Sequence, residues 1–192
     1  GLGDVYKRQV GDSKISCYHG SSHGQVSFQK SFAKSCNSSF ANIGMSLDRE
    51  AFQETLNDLL FNKDLPLTLN YAKSSAIVSE STPSAEMMQT SIGQGKTQIT
   101  PMHLNMITCA IANDGVLMKP YVIDHVENDE GTVVKSFKAS EYGRLMTEDE
   151  SAILKQLMTD VVEEGTASKL RGLNYTAVSY THLRAHETEL HL

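Results

Sequence analysis

Apolar residues recur at helical spacing in several stretches of the chain. Phe28, Phe32, Cys36 and Phe40 lie four apart, and Ser27 stands just before them as a helix cap. Asp48 caps a clearer pattern, with Phe52, Leu56, Leu59 and Leu60 on one face. From Asn62 to Ser84 the chain is polar and broken by Pro66 and Pro83, so it reads as loop, with a short strand around Ser75 to Val78. Gly93 and Gly95 predict a tight turn. Thr100 then caps a helix with Pro101 in its first position, where a missing N–H costs nothing. Leu104, Met106, Ile107, Ala110 and Ile111 form its apolar stripe, and Asn113, Asp114 and Gly115 stop it.

Two β-rich runs follow, "VLMKPYVIDHV" and "GTVVKSF", separated by the turn-like Asn128 to Gly131. Thr147 and Glu150 make a capping box. Behind it Ile153, Leu154, Leu157, Met158, Val161 and Val162 mark a strongly amphipathic helix that Gly165 ends. Helices outnumber strands. The pattern predicts an α+β fold with too few strands for a sheet of its own.

The two ends change how much of this is design. The chain opens "GLGDVYKRQ". One legal coding of that opening, reverse-complemented and read in a shifted frame, translates to V-S-Y-T-H-L-R-A, which is Val178 to Ala185. Chance is a poor account of a match of this length. Residues 1–9 and 178–192 are therefore read as translated sequencing adapter and set aside. His182, His186 and His191 go with them, so no metal site is built there.

Residues 10–177 suffice for one ordinary domain. Apolar content of 40% and charged content of 21% are those of a globular protein. The formal charge of −6 argues against a nucleic-acid partner, which normally leaves a basic patch. No apolar run approaches the length of a membrane span. Cys17, Cys36 and Cys109 are scattered and odd in number, with no metal-ligand spacing and no disulfide framework. They are expected to be buried small apolar residues.

The stretch "KSCNSSF", at Lys34 to Phe40, places Ser35 and Asn37 either side of Cys36 in the middle of an apolar run. Residues two apart point to nearly opposite sides of a helix, but to the same side of a turn. If the chain leaves helical geometry at Ser35, Cys36 stays inward while the hydroxyl and the amide both meet a cleft. The alternative is a pair of ordinary cap residues between two helices, and spacing alone favours it.

Three stretches bear on that choice. "HGQVSFQKSFAKSCNSSFANIG" resembles the second-motif region of the transpeptidase domain of penicillin-binding proteins. "SIGQGKTQITPMHLNMITCAIANDGVLMKP" and "LMTDVVEEGTASKL" resemble two later stretches of the same domain, in the same order. The motif set of that superfamily is S-x-x-K, S-D-N and K-T-G. Ser35-Cys36-Asn37 stands in the second position. Ser31 and Lys34 have the S-x-x-K spacing but abut the triplet, whereas the family's nucleophile lies well upstream, so Ser31 is read as helix surface. Near "GLNYTA", where the family runs into its third motif, the adapter-like sequence begins.

The resemblance implies a partial, helix-rich β-lactamase/transpeptidase-like domain with most of the central antiparallel sheet missing. It implies a serine-type D,D-transpeptidase parent. There a first-motif serine attacks the D-Ala-D-Ala end of a peptidoglycan stem peptide, and an amine resolves the acyl-enzyme into a cross-link. Ser35 is the implied catalytic relay for the proton, and Asn37 the implied substrate-binding amide. β-Lactams bind as mimics of the dipeptide. No metal or organic cofactor is implied. The parent is expected in the bacterial cell membrane, with this domain extracytoplasmic. Two rivals stand beside this reading: a serine β-lactamase or β-lactam sensor on the same fold, and a non-catalytic binding domain.

Overall fold

The computed structural model describes residues 2–3, 8–10, 13–173 and 177–178. Residues 179–192 of the adapter-like tail lie outside them, as do the asparagine, tyrosine and threonine at 174–176. Leu2–Gly3 (β1) pairs with Gln25–Val26 (β4), and Arg8–Val10 (β2) with Ser13–Ile15 (β3), both antiparallel. The adapter-like start thus contributes short strands.

Three helices follow, and the caps of the first and third are those the sequence predicts. Helix α1, Phe28–Ala33, starts at Ser27, whose hydroxyl accepts from the Lys30 N–H at 3.1 Å. Helix α2 runs from Asn37 to Ser46. Helix α3, Arg49–Asp58, is capped by the Asp48 carboxylate, which accepts from the Ala51 N–H.

A helix follows the stretch read as loop. Helix α4, Ser84–Thr90, buries Met87, Met88 and Thr90, and its brevity after Pro83 hides it from a periodicity search. The strand expected at Ser75 to Val78 is a single antiparallel bridge, Ser75 to Gln98. Gly93 and Gly95 both have positive φ, as the tight turn requires.

Helix α5, Pro101–Ala112, has Thr100 as its cap. Its deepest face runs through His103, Met106 and Ala110, with Ile107 and Ile111 half-buried beside it. That rotation turns Cys109 outward, correcting the expectation that all three cysteines are buried. Val116–Met118 (β5) pairs with Glu141–Arg144 (β8), a partner not expected from the sequence. His125–Glu127 (β6) pairs antiparallel with Val133–Ser136 (β7), so the two β-rich runs meet as a hairpin.

Helix α6, Glu148–Glu163, carries the predicted capping box, with Thr147 and Glu150 each bonding the other's backbone N–H. Ser151, Leu157, Met158, Val161 and Val162 are buried, while Ile153 is 59% exposed. The Ser151 hydroxyl donates to the Ile111 carbonyl at 2.7 Å and fastens α6 to α5.

Two small cores flank α2. Phe32, Leu157, Met158 and Val161 pack with Phe40 and Ile111 on one side. Ile15, Ala41, Met88 and Ile92 pack with Phe40 and Met45 on the other. Gly44 lets α2 meet the residue ending α4 closely, since a Cβ there would lie 1.7 Å from Ser91 Oγ. The described strands form only two-stranded sheets. The architecture is α+β, helix-rich, with helices packed on helices and no central sheet among the described residues. No described helix is long and apolar enough to cross a membrane.

Candidate functional site

The junction between α1 and α2 carries the triplet. Lys34 ends α1, the Ser35 N–H donates to the Phe32 carbonyl at 3.0 Å, and the Cys36 N–H donates to the Ser31 carbonyl at 2.9 Å. That pair of bonds is a Schellman closure, whose left-handed position is usually filled by glycine. Here it is filled by Ser35, with φ of 51°. Cys36 follows in extended geometry and is fully buried, and Asn37 opens α2. The chain therefore leaves the helix at Ser35 and turns Cys36 inward, as the turn reading expects. Ser35 and Asn37 stay half-buried. The Asn37 amide nitrogen donates to the Ser16 carbonyl at 3.0 Å, which fixes the amide plane and uses one of its two N–H donors.

The junction is held from beneath. Ser31 is fully buried, with its hydroxyl donating to the Ser27 carbonyl at 2.8 Å. This corrects the reading of Ser31 as helix surface: it is buried in the fold rather than facing water. Ser27 and Lys30 have the S-x-x-K spacing too, a pair the sequence reading passed over. The Ser27 hydroxyl is committed to the cap of α1.

Loop 164–167 closes on the junction from the far end of α6. The Thr166 N–H donates to the Ala33 carbonyl at 3.2 Å, and the Lys34 ammonium donates to the Glu164 carbonyl. A cation there also complements the negative end of α6. Gly165 makes the approach possible, because a Cβ on it would lie 2.1 Å from the Ala33 oxygen. The sequence reading took this glycine only as a helix stop.

Beneath the triplet two of the three cysteines meet. Cys17 Sγ lies 3.7 Å from Cys36 Sγ, and the ligand atoms of Cys17, His23 and Cys36 all fall within 4.8 Å of one another. Burial pushes the Cys36 thiol pKa up, opposed by the Ser39 hydroxyl, which donates to it at 3.2 Å. No short Cys/His spacing announces this group, since 5 and 12 residues separate its members.

The family described as "Penicillin binding protein transpeptidase domain" matches residues 4–184. The "Peptidoglycan D,D-transpeptidase PbpA" of Mycolicibacterium smegmatis is 28% identical over 147 residues, covering 75% of this chain and 29% of that protein. Of solved structures, penicillin-binding protein A from M. tuberculosis, as its penicillin G acyl-enzyme complex, superposes with a TM-score of 0.77 at 24% identity. That match covers 84% of this chain and 38% of the other. The D,D-transpeptidase domain of a peptidoglycan glycosyltransferase from Eggerthella lenta gives a TM-score of 0.83 at 19% identity, over 94% and 47%. The chain spans under a third of the length of the curated relatives it matches. That family model spans most of the chain, so the chain belongs to the transpeptidase family of penicillin-binding proteins.

Proposed function

We propose that this chain is the part of a peptidoglycan D,D-transpeptidase that supplies one wall of its acyl-transfer cleft. The substrate on this reading is a stem peptide ending in D-Ala-D-Ala, and β-lactams occupy the same cleft as acylating mimics. The observation that carries the reading is the left-handed turn at Ser35. It buries Cys36 and leaves a hydroxyl and an amide together at the junction of two packed helices.

A serine nucleophile is weak at its free pKa and needs a neighbouring base. Ser35 is assigned the relay of the proton between that nucleophile and the leaving amine. Asn37, its plane fixed by Ser16, is assigned a hydrogen bond to the peptide backbone of the substrate or to the side-chain amide of a penicillin. The chain contains no K-T-G tripeptide, and Ser27 and Ser31 are both engaged at the start of α1. The 192-residue chain alone is therefore expected to take no covalent label from a fluorescent penicillin. The parent is placed at the bacterial cell membrane, with this domain outside the cytoplasm.

The test uses the intact transpeptidase. Ser35→Ala should slow acylation by penicillin about 10²–10⁴-fold, the usual contribution of a positioned proton-transfer group. Asn37→Ala should weaken it too, with the fold preserved by circular dichroism. Unchanged acylation in both variants would return the pair to helix capping. Rapid nitrocefin turnover by the parent would instead favour a β-lactamase.

A further inference from the structure

The densest set of soft ligand atoms among the described residues lies under the triplet. Cys17 and Cys36 are buried, His23 is half-buried, and their ligand atoms lie within 4.8 Å of one another. We propose that Cys17, His23 and Cys36 bind one zinc-class cation, tying the segment before α1 to the centre of the Ser35-Cys36-Asn37 turn.

The geometry fits a shared metal. Zn–S bonds of about 2.3 Å at tetrahedral angles place two thiolates about 3.8 Å apart. The two sulfurs here are 3.7 Å apart. A disulfide at about 2.05 Å would need the sulfurs to close by about 1.6 Å. Two thiolates and an imidazole are a donor set that suits zinc and disfavours magnesium or calcium. The three protein donors leave a fourth tetrahedral position for water.

Two features offset the burial that raises the Cys36 thiol pKa. Cys36 is the N-cap of α2, a ten-residue helix, so its sulfur lies at the positive end of that helix dipole. The Ser39 hydroxyl donates to the same sulfur, and Ser38 Oγ lies 3.9 Å from Cys17 Sγ. Such outer-shell donors stabilise metal-bound thiolates. Binding would release the two thiol protons to solvent, so it should tighten as pH rises. The mechanical consequence is local. Asn37 already bonds the Ser16 carbonyl, and a metal at Cys17 and Cys36 would fix the same two strands of chain a second time. This inference does not depend on the transpeptidase reading.

The experiment titrates the reduced 192-residue chain with cobalt(II) as a spectroscopic stand-in for zinc. The expected result is one cobalt per chain, with a thiolate charge-transfer band and the intense visible bands of tetrahedral cobalt, both displaced by zinc. Cys17→Ser and Cys36→Ser should abolish the charge-transfer band, Cys109→Ser should leave it, and His23→Ala should weaken binding at least about tenfold. Should a cysteine variant fail to fold, X-ray absorption of the zinc-loaded wild type decides the matter: two sulfur scatterers at about 2.3 Å support the site. Reduced protein without a charge-transfer band overturns it. So does a band that survives both cysteine substitutions, which would place the metal elsewhere, for instance on the tail histidines. A Cys17–Cys36 linked peptide from the non-reduced protein, with no cobalt binding after reduction, overturns it in favour of a disulfide.

Discussion

The α1–α2 junction and the β6–β7 hairpin are built on opposite terms. At the junction, backbone meets backbone: Gly165 touches Ala33, Thr166 bonds it, and Ser31, Ala33, Cys36, Ser38 and Ser39 are all buried. In the hairpin arm every residue from Lys119 to Tyr142 is exposed, with Val122 at 83% and Val134 at 62%. A lone two-stranded ribbon is marginal in water. The comparison teaches that close packing is held to the helical part of the chain, while the arm leaves its apolar residues to solvent.

The comparison can be broken from the packed side first. Met87 is fully buried against Leu56, Phe61, Ala76 and Val78. Met87→Ala should lower the unfolding free energy by about 2–5 kcal/mol in urea titration. A loss under 1 kcal/mol would mean this core is loose. Next, Gly165→Ala must push Ala33 away. Overpacking of this kind costs about 1–3 kcal/mol, and the damage should reach the turn, seen as faster amide exchange at Ser35 and Cys36. Destabilisation without faster exchange there would show that loop 164–167 does not support the junction.

Two histidines sharpen the contrast with opposite pH signatures. His103 is buried, its Nε2 bonded to the Leu59 carbonyl at 2.7 Å, and burial lowers its pKa below 6.5. The unfolded chain then takes up a proton the folded one refuses. Its contribution is present above the unfolded value of 6.5 and is lost as pH falls through the lower folded value. His125, on the hairpin between Asp124 and Glu127, is held above 6.5 by those carboxylates, the Asp124 bond first. Its contribution is complete below 6.5 and fades as pH rises through the higher folded value. It is exposed and screened by salt, so the core histidine should dominate. Thermal midpoints should therefore fall on acidification from neutral pH, and His103→Gln should flatten that fall while His125→Gln should not. The smallest effect belongs to the arm itself: Val134→Thr should stay within about 0.5 kcal/mol of wild type.

Much of this was legible in the sequence because caps and periodicity are local. Ser27, Asp48, Thr100 and the Thr147–Glu150 box fix helix starts through bonds to their own first turns. The four-residue spacing placed Cys36 inward, but on spacing alone the turn at Ser35 stood second to a pair of helix caps. Helix α4 was missed because seven residues after a proline show too little period. The tether from Thr166 to Ala33 and the group Cys17, His23, Cys36 were missed for another reason. They join residues far apart in sequence, and nothing in the local pattern of either partner records the other. Cys109 misled because residue type alone cannot say which way a helix is rotated.

Ser35 sits where a Schellman turn asks for glycine, in a conformation that costs a side-chain-bearing residue about 1 kcal/mol. Replacement by glycine would relax the backbone and delete the hydroxyl in one step. Any laboratory selection for heat tolerance would therefore drive this position toward glycine, enriching sturdier molecules that no longer carry the group assigned to the chemistry. Thermal robustness and the hydroxyl are in direct competition at a single codon, so a stabilised library of the intact transpeptidase should be sorted by penicillin acylation as well as by melting.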